Sequence, residues 1–258
     1  MKPTDSLRDI EQERVVPWGS PQQYAWHEAR YRFALSLARG ARVLDVGSGE
    51  GYGPAILAAE AAHVVGVDYS PAAVEHARTK YVGNNLEFME TDVRRLAFPA
   101  GSFDLVTCFE VLEHIDDQAA LLEGIRGGLV PAGTLLLSCP NAELENLYER
   151  VTGREHYAYH VNVVDYQALR QLLKQHFATV EFFGQFTRGN RLRMVLKMID
   201  RYNIRHRIVR SRRLQAKIGA RVMGTAYETG SPDDVQFSRL MAKQSPIVLA
   251  RARCPRPI

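Results

Sequence analysis

The sequence predicts an α/β fold, in which one mostly parallel sheet is covered by helices on both faces. Short, continuous apolar runs alternate with helical stretches along most of the 258 residues. Such runs are typical of parallel strands that are buried on both faces. Gly, Pro and Ser punctuate the runs where turns and helix caps belong. In sheets of this kind ligands bind at the carboxyl ends of the strands, near the point where the strand order reverses.

The first predicted element is a helix over residues 20–40, with Ser20 as its N-cap, Pro21 in its first turn and Gly40 at its end. The remaining helices are expected over residues 53–62, 70–81, 117–129 and 164–177. The strands are expected over residues 41–47, 63–70, 86–93, 103–110, 133–141, 179–185 and 246–252. These strands and helices alternate over most of the chain, as a doubly wound sheet requires.

The chain divides into three parts by composition. We expect an N-terminal segment and helix over 1–40, a core over 41–187 and 236–258, and a basic helical insertion that forms a cap over 188–235. The stretch 188–221 carries a net charge of +11, and the rest of the chain carries −7. The basicity therefore belongs to one segment, for which a solvated face is the simplest interpretation. An anionic acceptor, an acidic carrier protein, a membrane surface contacted through 188–222, or RNA would also suit it, although no RNA-binding module is recognisable.

Composition argues against several classes of protein. Hydrophobic residues make up 46% of the chain, yet no run approaches the roughly 18 apolar residues of a membrane span. The polar start "MKPTDSLRDIEQER" shows no apolar region of a signal peptide. The three cysteines have neither CxxC nor metal-ligand spacing. We therefore expect a cytoplasmic protein with free thiols; nothing indicates an oligomeric state.

The stretch "VLDVGSGEGYG" follows the first predicted strand and places Gly47, Gly49, Gly51 and Gly53 at alternate positions. Glycines at a strand-to-helix turn let a ligand approach the backbone closely. The spacing departs from the dinucleotide pattern GxGxxG, and the Gly-Lys-Ser/Thr ending of a phosphate loop is missing. No Lys or Arg follows the turn until Arg78. An adenosine ligand with a positive centre and no phosphates fits such a lining.

Four predicted strands end in carboxylates, namely Asp45, Asp68, Asp92 and Glu110. Asp68 lies 23 positions after Asp45, about the separation at which an acid reaches ribose hydroxyls in nucleotide sites. Any one of these acids could be an ordinary cap. Together with the glycines, they predict a ligand at this edge of the sheet.

The segments "VLDVGSGEGYG", "VVGVDYSPAAVEHA", "METDVRRLAFPAGSFDLVTCFEVLEHIDD" and "GGLVPAGTLLLSCPN" resemble class I S-adenosylmethionine-dependent methyltransferases. The resemblance covers residues 41–141, and more weakly 160–177. It implies a Rossmann-like, seven-stranded sheet whose last strand is antiparallel. It also implies S-adenosylmethionine as cofactor and S-adenosylhomocysteine as product. By analogy the N-terminal helix could lie over the cofactor as a lid.

The same resemblance assigns cofactor-binding residues. The glycine turn with Asp45 would hold the methionine part. Asp68, with Tyr69 beside it, would hold the ribose, and Asp92 with Val93 the adenine. Phe109 and Glu110 would line the cofactor.

The tetrapeptide LEHI places Glu113 and His114 just beyond the fourth strand, where the reactive methyl is expected. A hydroxyl acceptor has to lose its proton, and His is the usual base near neutral pH. We interpret His114 as the general base, or as a positioning group, with Glu113 nearby. A structural role for His114 is the alternative.

The stretch "REHYAYHVN" supplies His156, Tyr157, Tyr159 and His160 as candidate acceptor-binding residues, unless it is only a solvated loop. We expect a small-molecule hydroxyl acceptor, a saccharide or glycosylated metabolite. A phenolic or quinone-type acceptor, an amino-sugar amine, and a binding protein without turnover are the alternatives. No metal ligands are expected, although Asp116 and Asp117 could serve Mg²⁺ if they are not helix caps.

Overall fold

The structure is a computed structural model that describes residues 14–146, 160–187 and 231–254. Its helices are α1 Pro21–Ala38, α2 Tyr52–Ala58, α3 Pro71–Lys80, α4 Gln118–Gly128 and α5 Tyr166–His176. Its strands are β1 Arg42–Val46, β2 His63–Asp68, β3 Leu86–Glu90, β4 Phe103–Phe109, β5 Leu129–Pro140, β6 Thr179–Thr187, β7 Val235–Ser238 and β8 Ile247–Arg253. The basic stretch 188–222 lies outside the described residues, as do His156, Tyr157 and Tyr159.

The strands form one sheet in the order β3-β2-β1-β4-β5-β8-β6-β7. Strands β1 to β5 run parallel to one another, whereas β8 pairs antiparallel with both β5 and β6. The predicted doubly wound sheet with an antiparallel last strand is therefore confirmed. The described part has eight strands instead of the predicted seven, because β7 adds to β6 at the edge. Its four residues are too few to give a recognisable apolar run.

The helix starts follow the capping rules that the sequence suggested. The hydroxyl of Ser20 accepts from the backbone N–H of Gln23 at the start of α1, and that of Ser70 accepts from Ala73 at the start of α3. Proline follows both caps, where its missing N–H costs nothing. Asp117 caps α4, because its carboxylate accepts from the backbone N–H of Ala120 at 3.0 Å. Of the two roles that the sequence left open for Asp117, helix cap or Mg²⁺ ligand, the structure shows the cap.

The core consists of two layers on opposite faces of the sheet, because side chains alternate along each strand. One face packs Leu44, Val106 and Leu137 against the apolar sides of α4 and α5. The other packs Val43 and Leu105 against α1 and α2. This two-sided burial explains why the strands read as continuous apolar runs.

The fold brings the ends of the parallel strands to one edge. Val46, near the end of β1, pairs with Val67 of β2 on one side and with Cys108 of β4 on the other. The order of the strands reverses between β1 and β4, so the segments after β1, β2 and β4 meet at this point. Among the described helices, none is both long and apolar enough to span a bilayer.

Candidate active site

The glycine loop, residues 47–51, connects β1 to α2 at the switch point. Gly47, Gly49 and Gly51 have φ angles of 75°, 53° and 101°, in the region that L side chains avoid. A Cβ on Gly51 would lie 2.7 Å from Cβ of Ala77, and one on Gly47 would overlap Cγ2 of Val111. Glycine is therefore required here both for the backbone conformation and for the packing.

Asp45 is fully buried beneath α1, next to the glycine loop. The hydroxyl of Thr107 donates to its Oδ1 at 2.5 Å, and the hydroxyl of Tyr31 donates to its Oδ2 at 3.2 Å. Burial raises the pKa of Asp45 to about 7, against the opposing effect of these two hydrogen bonds. The nearby charge of Asp68 makes a smaller contribution to this raised pKa. A cationic ligand that binds beside this carboxyl near neutral pH would favour loss of its proton.

Asp68 ends β2 and faces the glycine loop. Its Oδ2 accepts from the backbone N–H of Gly49 at 2.9 Å, and its Oδ1 accepts from that of Ser70 at 3.0 Å. The guanidinium of Arg14 also donates to Oδ1 at 2.9 Å, and it lies over the ring of the exposed Tyr69. Asp68 is thus at the predicted place, but a positively charged side chain from the N-terminal segment already contacts it.

Asp92 and Val93 follow β3. Asp92 is part-exposed and binds Arg94 through Nε at 2.8 Å and Nη2 at 2.9 Å, which lowers the pKa of the Asp92 carboxyl. Val93 begins a 3-10 helix, and its side chain is buried in the core. A ligand here would therefore meet the backbone of Val93, and it would have to share Asp92 with Arg94.

Phe109 and Glu110 end β4. The Phe109 ring is buried against Tyr31, with ring centroids 5.0 Å apart, so it acts as a packing residue beneath the edge. Glu110 has a φ of 56°, which is uncommon for a residue with a side chain. Its Oε1 accepts from the hydroxyl of Ser138 at 2.8 Å and pairs with Nη1 of Arg30 at 3.1 Å.

Arg30 is a charged residue in the middle of α1, yet it is only 1% exposed. Its Nε donates to Oε1 of Gln185 at 2.8 Å, and its Nη1 donates to the hydroxyl of Ser138 at 3.2 Å. Gln185 in turn donates to the carbonyl of Trp26 at 2.7 Å. This network fixes α1 and β6 relative to Glu110 at the end of β4.

Glu50, inside the glycine loop, is an anchor that the sequence did not reveal. It is fully buried, and its carboxylate contacts the Lys80 ammonium, Nε2 of His76 at 3.0 Å and the hydroxyl of Tyr81 at 2.9 Å. All three partners come from α3 or its end. The loop is therefore held from below by a charged contact that contributes no surface to a ligand.

Beyond Glu110 the chain makes a short 3-10 turn, Leu112–His114. Glu113 is 1% exposed, whereas His114 is exposed and His160 is half-buried. The rings of His114 and His160 lie 5.2 Å apart between centroids. One ligand atom each from Glu113, His114 and His160 lies within 4.8 Å of the other two. We call these three residues the Glu–His cluster.

A family model described as a methyltransferase domain matches residues 19–178. The chain belongs to this family. Among curated proteins, a "probable S-adenosylmethionine-dependent methyltransferase" of Mycolicibacterium smegmatis is 35% identical over 131 residues, 50% of each chain. A ubiquinone biosynthesis O-methyltransferase of Xanthomonas axonopodis pv. citri is 38% identical over 122 residues, 46% of this chain and 51% of that protein. The chain thus spans about half the length of the curated relatives that it matches.

Among solved structures, the N-methyltransferase NodS of Bradyrhizobium japonicum, in complex with S-adenosylhomocysteine, aligns with a TM-score of 0.58. The alignment covers 98% of this chain and all of that one, at 16% identity. At this identity the likeness concerns the fold. The predicted methyltransferase family and Rossmann-like sheet are both confirmed.

The structure of this methyltransferase domain places the glycines, Asp45, Asp68 and Glu110 at one edge, as the sequence suggested. It also adds Arg14, Arg30 and Glu50 to that edge, which the sequence did not indicate. Arg30 and Glu50 sit within segments that look like ordinary amphipathic or glycine-rich sequence. Only their burial and their distant partners reveal them, so no sequence signal could have identified them.

Proposed function

We propose that the chain transfers a methyl group from S-adenosylmethionine to a hydroxyl of a small molecule. The observation that supports this most directly is the glycine loop with its acids at the switch point of a methyltransferase-family sheet. Relatives named as S-adenosylmethionine-dependent and ubiquinone-biosynthesis O-methyltransferases support the cofactor and the hydroxyl acceptor.

The described residues fit this cofactor. The loop exposes backbone without Cβ atoms at Gly47 and Gly49, and Ser48 has a buried hydroxyl with no hydrogen-bond partner in the part of the chain that is described. Asp68 would hold the ribose hydroxyls, and an ionised Asp45 would favour the positive methionine part. The predicted roles of Tyr69, Asp92 and Val93 toward the adenosine stay part of this proposal.

The cofactor supplies an activated methyl group on a sulfonium, so this chain has to align the acceptor and exclude water. We propose that α1 contributes to both as a lid, because its Tyr31 and Arg30 reach Asp45 and Glu110. His114 is the residue on the acceptor side that is exposed and able to take part in removing the hydroxyl proton. Glu113 stands beside it.

Two classes of acceptor are proposed, in order of preference. A saccharide or glycosylated metabolite is the interpretation from the sequence, where His156, Tyr157, Tyr159 and His160 offer stacking faces and hydrogen bonds. A phenolic acceptor is the second candidate, favoured by the likeness to ubiquinone biosynthesis O-methyltransferases of 33–38% identity. A panel of sugars, phenols and amines, assayed with labelled cofactor, separates these classes. Binding of cofactor without turnover on any of them would favour a binding protein.

Calorimetry with S-adenosylhomocysteine tests the cofactor site. We expect saturable binding by the wild-type chain and none of NAD at the same concentration. Gly51→Ala should abolish binding, because its φ of 101° and the contact to Ala77 leave no room for a Cβ. Gly127→Ala is the matched control, since a Cβ there meets nothing within 4 Å. Binding of NAD but not of S-adenosylhomocysteine would overturn the proposal.

The role of His114 is tested by His114→Ala on the best acceptor of the panel. We expect turnover to fall on the order of 10²–10⁴-fold, with the affinity for S-adenosylhomocysteine nearly unchanged. Unchanged turnover would show that His114 is structural.

A contact of residues 188–222 with membranes also stays a prediction, and liposome flotation across a salt series tests it. RNA filter binding in the same series should be negative.

A further inference from the structure

We propose that the Glu–His cluster is a binding site for a divalent transition-metal cation such as Zn²⁺, with Glu113, His114 and His160 as its ligands. From the sequence, only Asp116 and Asp117 were candidate metal ligands, and no metal site was expected. The structure instead brings together one carboxylate and two imidazoles from segments 46 positions apart.

The first observation is an unpartnered buried acid. Glu113 is 1% exposed, and neither oxygen of its carboxylate has a hydrogen-bond partner within the described residues. A buried carboxylate without partners is costly, and proteins normally satisfy it with a donor or a cation. The two histidines are the neighbouring groups that could share a cation with it.

The second observation is that the cluster is held in place from the outside. The backbone N–H groups of Val161 and Asn162 both donate to the carbonyl of Glu113 at 3.0 Å. The buried amide of Gln118 donates to the carbonyls of Leu112 and Asn162 at 2.9 and 2.7 Å. These four bonds fix the segment that carries His160 against the turn that carries Glu113 and His114. The cluster is therefore a consequence of defined packing and not of one flexible side chain.

The geometry suits a small cation. Zn²⁺ binds His nitrogen and carboxylate oxygen at about 2.0–2.2 Å, so its ligand atoms stand roughly 3.5 Å apart. Ligand atoms up to 4.8 Å apart have to approach one another by about 1 Å, which small side-chain rotations allow, to reach that spacing. The exposed imidazole of His114 provides a path from solvent. Glu145 Oε1 lies 3.4 Å from Nδ1 of His160, which is where an outer carboxylate orients a ligating imidazole.

The donor set indicates the class of cation. Two imidazoles and one carboxylate suit Zn²⁺, Fe²⁺ or Co²⁺ better than Mg²⁺, which prefers oxygen ligands. Three protein ligands leave a coordination position open, as in catalytic rather than structural sites. If the proposed methyl transfer is correct, a cation there would lower the pKa of an acceptor hydroxyl. His114 would then contribute to proton removal by holding the cation, and not as the base itself. That role rests on the proposed function, but the binding itself does not.

The test uses the full chain after treatment with a chelator that is then removed. Co²⁺ is titrated while its visible absorption is recorded, and Zn²⁺ binding is measured by calorimetry. We expect one cation per chain, and a loss of affinity of at least 100-fold in Glu113→Gln and in His160→Asn. His63→Asn is the matched control, because His63 forms an exposed pair with Glu87 at 3.6 Å and the described residues offer no third ligand there. Its affinity should equal that of the wild type.

Three results would overturn the site: no saturable Co²⁺ spectrum, equal affinity in the wild type and both ligand variants, or displacement of Co²⁺ by millimolar Mg²⁺. Thermal unfolding of the metal-free variants verifies that they are folded. Calorimetry with S-adenosylhomocysteine in the chelated protein reports separately on the cofactor site. A failed metal site with intact cofactor binding would therefore leave the proposed function standing, and the reverse result would leave the metal site standing.

Discussion

The Glu–His cluster is a neighbour of the edge that carries the glycine loop, Asp45, Asp68 and Glu110, which we call the cofactor edge. The two regions differ in how their acids are satisfied. Asp45, Asp68 and Glu110 each have at least two hydrogen-bond or ion-pair partners in the protein. Glu113, three positions after Glu110, is only 1% exposed and has no hydrogen-bond partner among the described residues. The acids of the first region have protein partners before any ligand binds, whereas the second region contains a carboxylate that something else has to satisfy. This difference suggests that the cofactor edge is preorganised for its ligand, whereas the Glu–His cluster lacks a component that would satisfy Glu113.

The largest effect expected from this comparison is on the buried Arg30. Arg30→Ala leaves Glu110 and Gln185 without their partner, and breaking a buried pair typically costs about 3–5 kcal/mol of unfolding free energy. Urea denaturation measures the loss. Arg39→Ala is the control, because its pair with Glu60 is exposed and should be worth less than about 1 kcal/mol. Equal losses in the two variants would show that the network of Arg30 does not hold this edge together.

The second effect is a pH dependence at Asp45, whose neighbours are Tyr31, Thr107 and the charge of Asp68. A carboxyl with a pKa of about 7 in the folded state and 3.8 otherwise binds its proton more tightly when folded. Its contribution to stability therefore falls as pH rises from about 4 to about 7, by roughly 4 kcal/mol at 1.36 kcal/mol per unit. The difference between wild type and Asp45→Asn, measured by urea denaturation from pH 4 to 8, isolates this contribution. A difference that does not vary with pH would contradict it.

A smaller effect is expected where Arg14 contacts Asp68. If the ribose of the cofactor binds the Asp68 carboxylate, Arg14 competes with it for that group. Arg14→Ala should then raise the affinity for S-adenosylhomocysteine up to about tenfold, which is about 1.4 kcal/mol of binding free energy. Calorimetry measures the change. Arg42→Ala provides the matched control, since its pair with Asp104 is an exposed contact elsewhere on the chain. A lower affinity in Arg14→Ala would mean that Arg14 supports the cofactor instead of competing with it.

The smallest effect is expected at Glu113. In the metal-free protein Glu113→Gln removes a buried acid that has no partner to lose, so the unfolding free energy should change by less than about 1 kcal/mol. The same measurement used for Arg30 applies. A loss as large as that of Arg30→Ala would mean that Glu113 is already satisfied within the protein, and the contrast between the two regions would disappear.

Much of the cofactor edge could be predicted from the sequence. The DxGxGxG pattern, the strand ends and the caps at Ser20 and Ser70 are local features, because each depends on residues a few positions apart. The short strand β7 was missed, since four residues on a sheet edge carry little pattern of their own. His156, Tyr157 and Tyr159 lie outside the described residues, as does the predicted cap at 188–235 except for its last residues, 231–235. Their predicted roles therefore stay predictions.

The sequence by itself determined the α/β class, the order of most elements and the place of the glycine loop, because hydrophobic periodicity and backbone sterics act over short distances along the chain. Only the tertiary structure decided that Arg30 meets Glu110, that Arg14 contacts Asp68, and that His160 stands beside Glu113. Those partners lie 47 to 80 positions apart, and their meeting depends on how helices and loops pack onto the sheet. Long-range charge partners of this kind have no local signature, since a buried Arg and an exposed Arg look alike in sequence.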